Sequence, residues 1–128
     1  MTMAHPIIFN GSLGLGFMMV GLGLNASFRP DAHLKSLEFP VPTEPLAKKF
    51  SHALMRIWGI RNISFGLLMS AIWATGDENL MAKTLCISVA FPITDGFVSR
   101  AIIGGGEAQH WMFPPIVLIM SAGLFGWF

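Results

Sequence analysis

Tyrosine is absent from the chain, cysteine occurs once, and charged residues make up only 12% of it. Each shortage removes a class of explanation. The single thiol, Cys86, can form no internal disulfide, offers no dithiol for redox work, and shares no zinc-type spacing with the histidines. A net charge of +1 supplies no basic surface for a nucleic acid. Without tyrosine, the aromatic surface is mostly hydrocarbon, with indole N–H groups at Trp58, Trp73, Trp111 and Trp127. The triplet Gly104-Gly105-Gly106 lacks the Gly-Lys-Ser/Thr that a phosphate loop requires. No dinucleotide, haem, metal or thiol motif occurs, so neither a metal nor a cofactor is expected. Residues 1–6 carry no basic leader region, and the first apolar segment reads as retained.

What is present is hydrocarbon in long runs. Mean hydropathy is +0.62 over 128 residues, and apolar runs near 20 residues read as membrane-spanning helices. The expectation is an all-α protein with one integral membrane domain over residues 1–128. It is a four-helix transmembrane bundle with spans at about 7–27, 57–73, 83–103 and 111–128 and a long proline-rich loop between the first two. The tryptophans fall near span ends, where indole is enriched at membrane interfaces.

In span one, Asn10, Gly14, Gly21 and Asn25 lie near one face, a stripe that lets a neighbouring helix approach closely. Asn10 or Asn25 could instead line a cavity. Residues 28–50 hold Pro30, Pro40, Pro42 and Pro45 and read as a loop, with a helix starting at Pro45 on the membrane surface. In span two, Asn62, Gly66 and Ser70 form a small polar edge beside Arg61. In span three, Pro92 should kink the helix and free the carbonyl of Ser88, on the face that carries Asp95 and Ser99.

Charge within a spanning helix usually faces the bundle interior or a wet cavity and finds a partner there. Arg61 and Asp95 are the expected pair, either as an ion pair or with the acid protonated. Alternating directions place Arg29, Lys35, Lys48, Lys49, Arg56, Arg61 and Arg100 in one membrane half, with Lys83 alone in the other. Positive charge collects on the cytoplasmic side, so both termini should be lumenal. Arg61, Asn62, Asp95, Arg100 and His110 then gather in the cytoplasmic half, while Glu107 reads as solvated.

The run Gly59-Ile60-Arg61-Asn62-Ile63-Ser64-Phe65-Gly66-Leu67-Leu68, with Asp95-Gly96 closing a third span and His110 opening a fourth, resembles a family of small fungal four-span membrane proteins. That family carries a domain of unknown function and is distantly similar to DoxX-like proteins. The resemblance implies a setting in terpenoid or polyketide biosynthesis and functional roles for Arg61, Asp95 and His110.

The expected activity is that of a membrane-embedded, cofactor-free isomerase or cyclase, such as a pericyclase, acting on a hydrophobic intermediate. Arg61, Asp95 and His110 are the candidate catalytic residues, and Asn10, Asn62, Ser88, Arg100, Trp58 and Trp111 the candidate substrate contacts. The partners would be the substrate and membrane lipid, with a second copy or a neighbouring membrane enzyme as further candidates, and the location the endoplasmic reticulum. The alternative is a non-catalytic membrane protein that binds lipid or sterol or scaffolds an enzyme.

Overall fold

The computed structural model describes residues 5–128; residues 1–4, part of the N-terminal stretch read above for a leader, lie outside the described residues. The described residues form helices and no strands. These are α1 (Pro6–Phe28), α2 (Pro30–Ser36), α3 (Pro45–Thr75), α4 (Glu78–Ser88), α5 (Ala90–Ile103), α6 (Ala108–Trp111) and α7 (Phe113–Leu124). Three stretches are long and apolar enough to cross a membrane: Pro6–Phe28, Pro45–Thr75 and Glu78–Ile103. Large apolar side chains such as Phe17, Ile57, Ile60, Leu67 and Ile102 stand on their exposed faces. Hydrocarbon is the solvent that suits such faces, and three helices able to span a bilayer are consistent with an integral membrane protein.

Two boundaries differ from the sequence expectation. The stretch 28–50 is not loop throughout. Pro30 opens a short helix, α2, and holds Arg29 outside the helical basin at φ −132° and ψ 60°, which ends α1 at Phe28. The helix that starts at Pro45 then runs without interruption into the second span, so that span begins twelve residues earlier than the expected Ile57. Glu44 secures this start. Its carboxylate accepts the backbone N–H groups of Leu46 (3.0 Å) and Ala47 (2.8 Å), which hold its pKa below the usual carboxylate value.

The third span breaks as Pro92 requires. α4 ends at Ser88 and α5 begins at Ala90. Proline has no N–H to return to the Ser88 carbonyl, and the helix resumes past that gap. α4 itself starts on Asp77, whose side chain accepts from the N–H of Leu80 (2.9 Å). At the other end, Gly104 takes the left-handed conformation (φ 65°) and its N–H bonds the carbonyl of Arg100 (3.0 Å). The triplet is thus a helix stop, where glycine meets no Cβ penalty.

α2 ends in the same kind of turn without a glycine. Phe39 N–H returns to Leu34 O (3.0 Å) and Glu38 N–H to Lys35 O (3.0 Å), which places Glu38 at φ 64°. This conformation disfavours a Cβ. Glu38→Gly should therefore raise stability by roughly 0.5–1 kcal/mol in thermal denaturation, whereas Glu38→Ala, which keeps the Cβ, should not.

The chain divides into two compact units: a terminal unit of Met1–Gly14 with Met69–Phe128, and a central unit of Leu15–Leu68. In the terminal unit, α4 packs on α7 through Met81, Ala82, Leu85, Val117 and Leu124. Ser121 Oγ donates to the Ala82 carbonyl (2.7 Å), which commits its one proton. The Cys86 thiol must therefore be the donor in its 2.9 Å contact with Ser121 Oγ.

In the central unit, α1 and α3 run antiparallel with their backbones nearly in contact. A Cβ on Gly23 would fall 2.7 Å from Ile63 Cγ1, one on Gly59 would fall 2.6 Å from the Gly23 carbonyl oxygen, and one on Gly66 would overlap the Gly16 carbonyl. Seven residues separate Gly16 from Gly23 and Gly59 from Gly66, so each helix offers two glycines on one face. The stripe expected from Gly14 and Gly21 is not the one used, because nothing lies within 4 Å of a Cβ at either position. Of the polar edge of span two, Asn62 and Gly66 are buried on the packed side of α3 and Ser70 is half-buried.

Candidate functional site

In the central unit, polar groups from three helices meet around Trp58. His33, on α2, is 1% exposed, and its ring lies against that of Trp58 with centroids 4.7 Å apart. Its Nδ1 is 2.9 Å from Asn25 Nδ2, near the end of α1. An amide nitrogen can only donate, so Nδ1 accepts and the ring proton sits on Nε2. That atom is buried and has no hydrogen-bond partner. Burial disfavours the charged form and pushes the His33 pKa below its ordinary value.

Arg61 places its guanidinium carbon 5.8 Å from the Trp58 ring centroid, one turn further along α3. Asn62, 6% exposed, donates Nδ2 to the Trp58 carbonyl (2.8 Å) and so spends that donor on its own helix. On the solvated side of α2, Asp31 clasps α3, accepting from His52 Nε2 (2.8 Å) and lying 3.5 Å from Lys48 Nζ. The His52 hydrogen bond first, and the Lys48 charge after it, hold the Asp31 carboxyl below its usual pKa.

In the terminal unit the polar groups gather where α5 meets α6. Trp111 lies over Gly96 so closely that a Cβ there would overlap the indole. Its Nε1–H reaches the Ile93 carbonyl at 3.3 Å, and its ring meets Phe97 edge-on at 5.1 Å. Asp95, next to Gly96 on α5, is half-buried. Ser99, fully buried, donates to the Gly105 carbonyl (2.8 Å) and ties the glycine turn to α5. Glu107 and His110, one turn apart, each keep a buried atom without a hydrogen-bond partner, Oε2 and Nε2 respectively. Glu107, expected to be solvated, is half-buried, because the turn at Gly104 and Gly106 folds the start of α6 back toward α5.

A match to the family described as "Domain of unknown function (DUF4267)" covers residues 16–124. The chain belongs to the DUF4267 family. The matched stretch contains every polar group described above, from Asn25 to Trp111. No curated protein and no solved structure matches the chain.

Of the residues expected to be functional in this DUF4267 protein, the central unit groups Trp58, Arg61 and Asn62, and the terminal unit holds Asp95, His110 and Trp111. Asn10 instead accepts from Trp73 Nε1 (3.0 Å). Ser88 Oγ bonds its own helix at the Leu85 carbonyl (2.7 Å), and Arg100 is exposed in the last turn of α5. Among the described residues, no group of three or more His, Cys, Asp or Glu side chains is placed to hold a metal ion.

The residue that sequence reasoning passed over is His33. It stands between prolines in a segment that reads as loop, and only the folding of α2 against Trp58 buries it. The available signal was Pro30 followed by Asp31, a helix start three residues before the histidine.

Proposed function

We propose that this protein is a cofactor-independent membrane enzyme that isomerises or cyclises a hydrophobic intermediate, of the terpenoid or polyketide kind, in secondary-metabolite biosynthesis. In this reading the chain crosses the bilayer four times. α6 and α7 make the last crossing, nearly continuous through Met112 at φ −70° and ψ −24°. The loops carrying most of the lysine and arginine face the cytosol, and both termini lie in the lumen of the endoplasmic reticulum.

One observation carries the reading: side-chain atoms of His33 on α2, of Glu107 just before α6 and of His110 on α6 are buried without a hydrogen-bond partner. Each such atom costs about 1–3 kcal/mol relative to a satisfied one. Selection for packing alone favours their removal. Rearrangement chemistry uses such groups directly. It conserves the substrate's atoms, needs no external electron carrier, and gains from fixed donors aimed at an oxygen where charge develops. Arg61 would polarise a carbonyl, Asp95 would donate or balance charge, and His110 would move a proton.

The test is conversion of polyene or terpenoid intermediates by microsomes that contain the protein, followed by chromatography and mass spectrometry. Wild type should yield a product of unchanged mass. Arg61→Met and Asp95→Asn should each reduce the rate by at least about 100-fold at normal protein level. Unchanged turnover in both variants removes these assignments.

A second reading, a non-catalytic protein that binds lipid or sterol or holds a partner enzyme, is favoured by the satisfied state of other candidates. Asn10, Asn62 and Ser88 all have a side-chain hydrogen bond within the fold, as structural residues do.

A further inference from the structure

We infer that residues 45–56 of α3, with Lys49 and Arg56 along one edge, form a docking surface for anionic phospholipid at the headgroup level of the membrane. The inference takes the membrane setting from the reading above and makes no use of its catalytic assignments.

Length places this stretch. α3 has 31 residues and rises about 46 Å, against a hydrocarbon core of about 30 Å. With the Trp73 indole at one interface, about twenty residues cross the core, which leaves the start of α3 among the headgroups of the opposite leaflet. The outer face of this stretch is nevertheless apolar. Leu46, Phe50 and Ile57 are 73%, 66% and 64% exposed, and intervals of four and seven residues put them on one side of the helix. A helix held at the headgroup layer buries such a face against acyl chains; one standing in water does not.

Charge selects the lipid. Lys49 and Arg56 are exposed, and their seven-residue interval sets them along one edge of the apolar face, about 10 Å apart on the axis. Among the described residues, no ion pair or side-chain hydrogen bond engages either one. The neighbouring acids are engaged: Asp31 holds His52 and Lys48, and Glu44 caps the helix start. Glu38 is matched in charge by Lys35, three positions before it. Two uncommitted cations beside exposed hydrocarbon suit a molecule that brings both a net negative headgroup and acyl chains. A zwitterionic headgroup carries its own cation, and a soluble phosphate carries no hydrocarbon.

Binding is measured by native mass spectrometry on the full-length, detergent-solubilised protein, titrated with phosphatidylserine and with phosphatidylcholine. Phosphatidylserine should bind about tenfold more tightly or better, and the preference should shrink as ammonium acetate is raised. Lys49→Ser and Arg56→Ser should each reduce the preference about fivefold, and the double variant should abolish it. Lys49→Arg, which keeps the charge, should retain it. Lys83→Ser is the control, because that exposed lysine lies on α4 in the other unit. All five substitutions are at exposed positions and should leave the thermal midpoint unchanged.

Equal affinity of the wild type for the two lipids overturns the inference, as does a preference that survives in the double variant. A loss in Lys83→Ser as large as in the double variant overturns it too, since any cation would then serve. Displacement of phosphatidylserine by excess free phosphoserine would assign the surface to a soluble anion, and the inference fails. A protein that turns over an intermediate without any lipid preference loses this inference alone; one that prefers phosphatidylserine but turns over nothing loses the catalytic reading alone.

Discussion

Gly59→Leu should leave little folded protein: a loss of about 3 kcal/mol or more, and a fall of roughly 10 °C in the thermal midpoint. The reason is local and rigid. A Cβ at this position overlaps Ser27 Oγ and lies 2.6 Å from the carbonyl oxygen of Gly23 and 3.3 Å from the backbone nitrogen of Ser27. Backbone atoms cannot rotate away as the end of a side chain can. Ser27 Oγ is itself fixed by its hydrogen bond to the Gly23 carbonyl (2.8 Å). The two helices must therefore separate, which also disturbs Asn62 and Trp58 on the same stretch of α3. Gly21→Leu is the control, because a Cβ there meets nothing within 4 Å. Detergent-solubilised protein compared by thermal denaturation and gel filtration decides the matter. Equal behaviour of the two variants would show that α1 and α3 do not pack through Gly23 and Gly59.

Gly96→Leu should have the second-largest effect, about 2–4 kcal/mol, and a different character. Here the added Cβ overlaps the Trp111 indole, reaching Cε2 at 2.7 Å. A side chain can yield where backbone cannot. The indole would leave its place, losing the bond from Nε1 to Ile93 O and the edge contact with Phe97. The signature is a fold that persists with altered tryptophan emission. Gly105→Leu should change neither, since its added Cβ meets nothing within 4 Å and its φ is not positive. If Gly96→Leu leaves both stability and emission unchanged, Trp111 does not lie on Gly96.

Local signals were legible where one residue type has one physical consequence. Pro92 lacks an N–H, so the third span had to break before it, and it does so at Val89. Glycine tolerates a left-handed turn, so the triplet ended α5. Pro45 was readable as a helix start, but its continuity with the second span was not. Nothing in Lys48-Lys49 or His52 forbids a helix from running out of the membrane into headgroups or water. The choice of glycine stripe was equally hidden. Gly14 with Gly21 and Gly16 with Gly23 have the same spacing, and only the positions of Gly59 and Gly66 on the opposing helix select between them. His33 was missed for a related reason: its burial depends on α2 folding against Trp58, a contact 25 positions away in the chain.

The residues by themselves determined the solvent and the class. Long apolar runs broken by few charges demand hydrocarbon around them, and a backbone in hydrocarbon must satisfy its own hydrogen bonds, which leaves helices. Tertiary structure alone decided which polar groups are buried and what each one touches. The ring nitrogen of His33 and the carboxylate of Glu107 carry no mark in the local sequence of whether they will be buried with a partner or without one. Whether each ends satisfied or unsatisfied depends on a partner brought by another segment, and no local pattern encodes that distance.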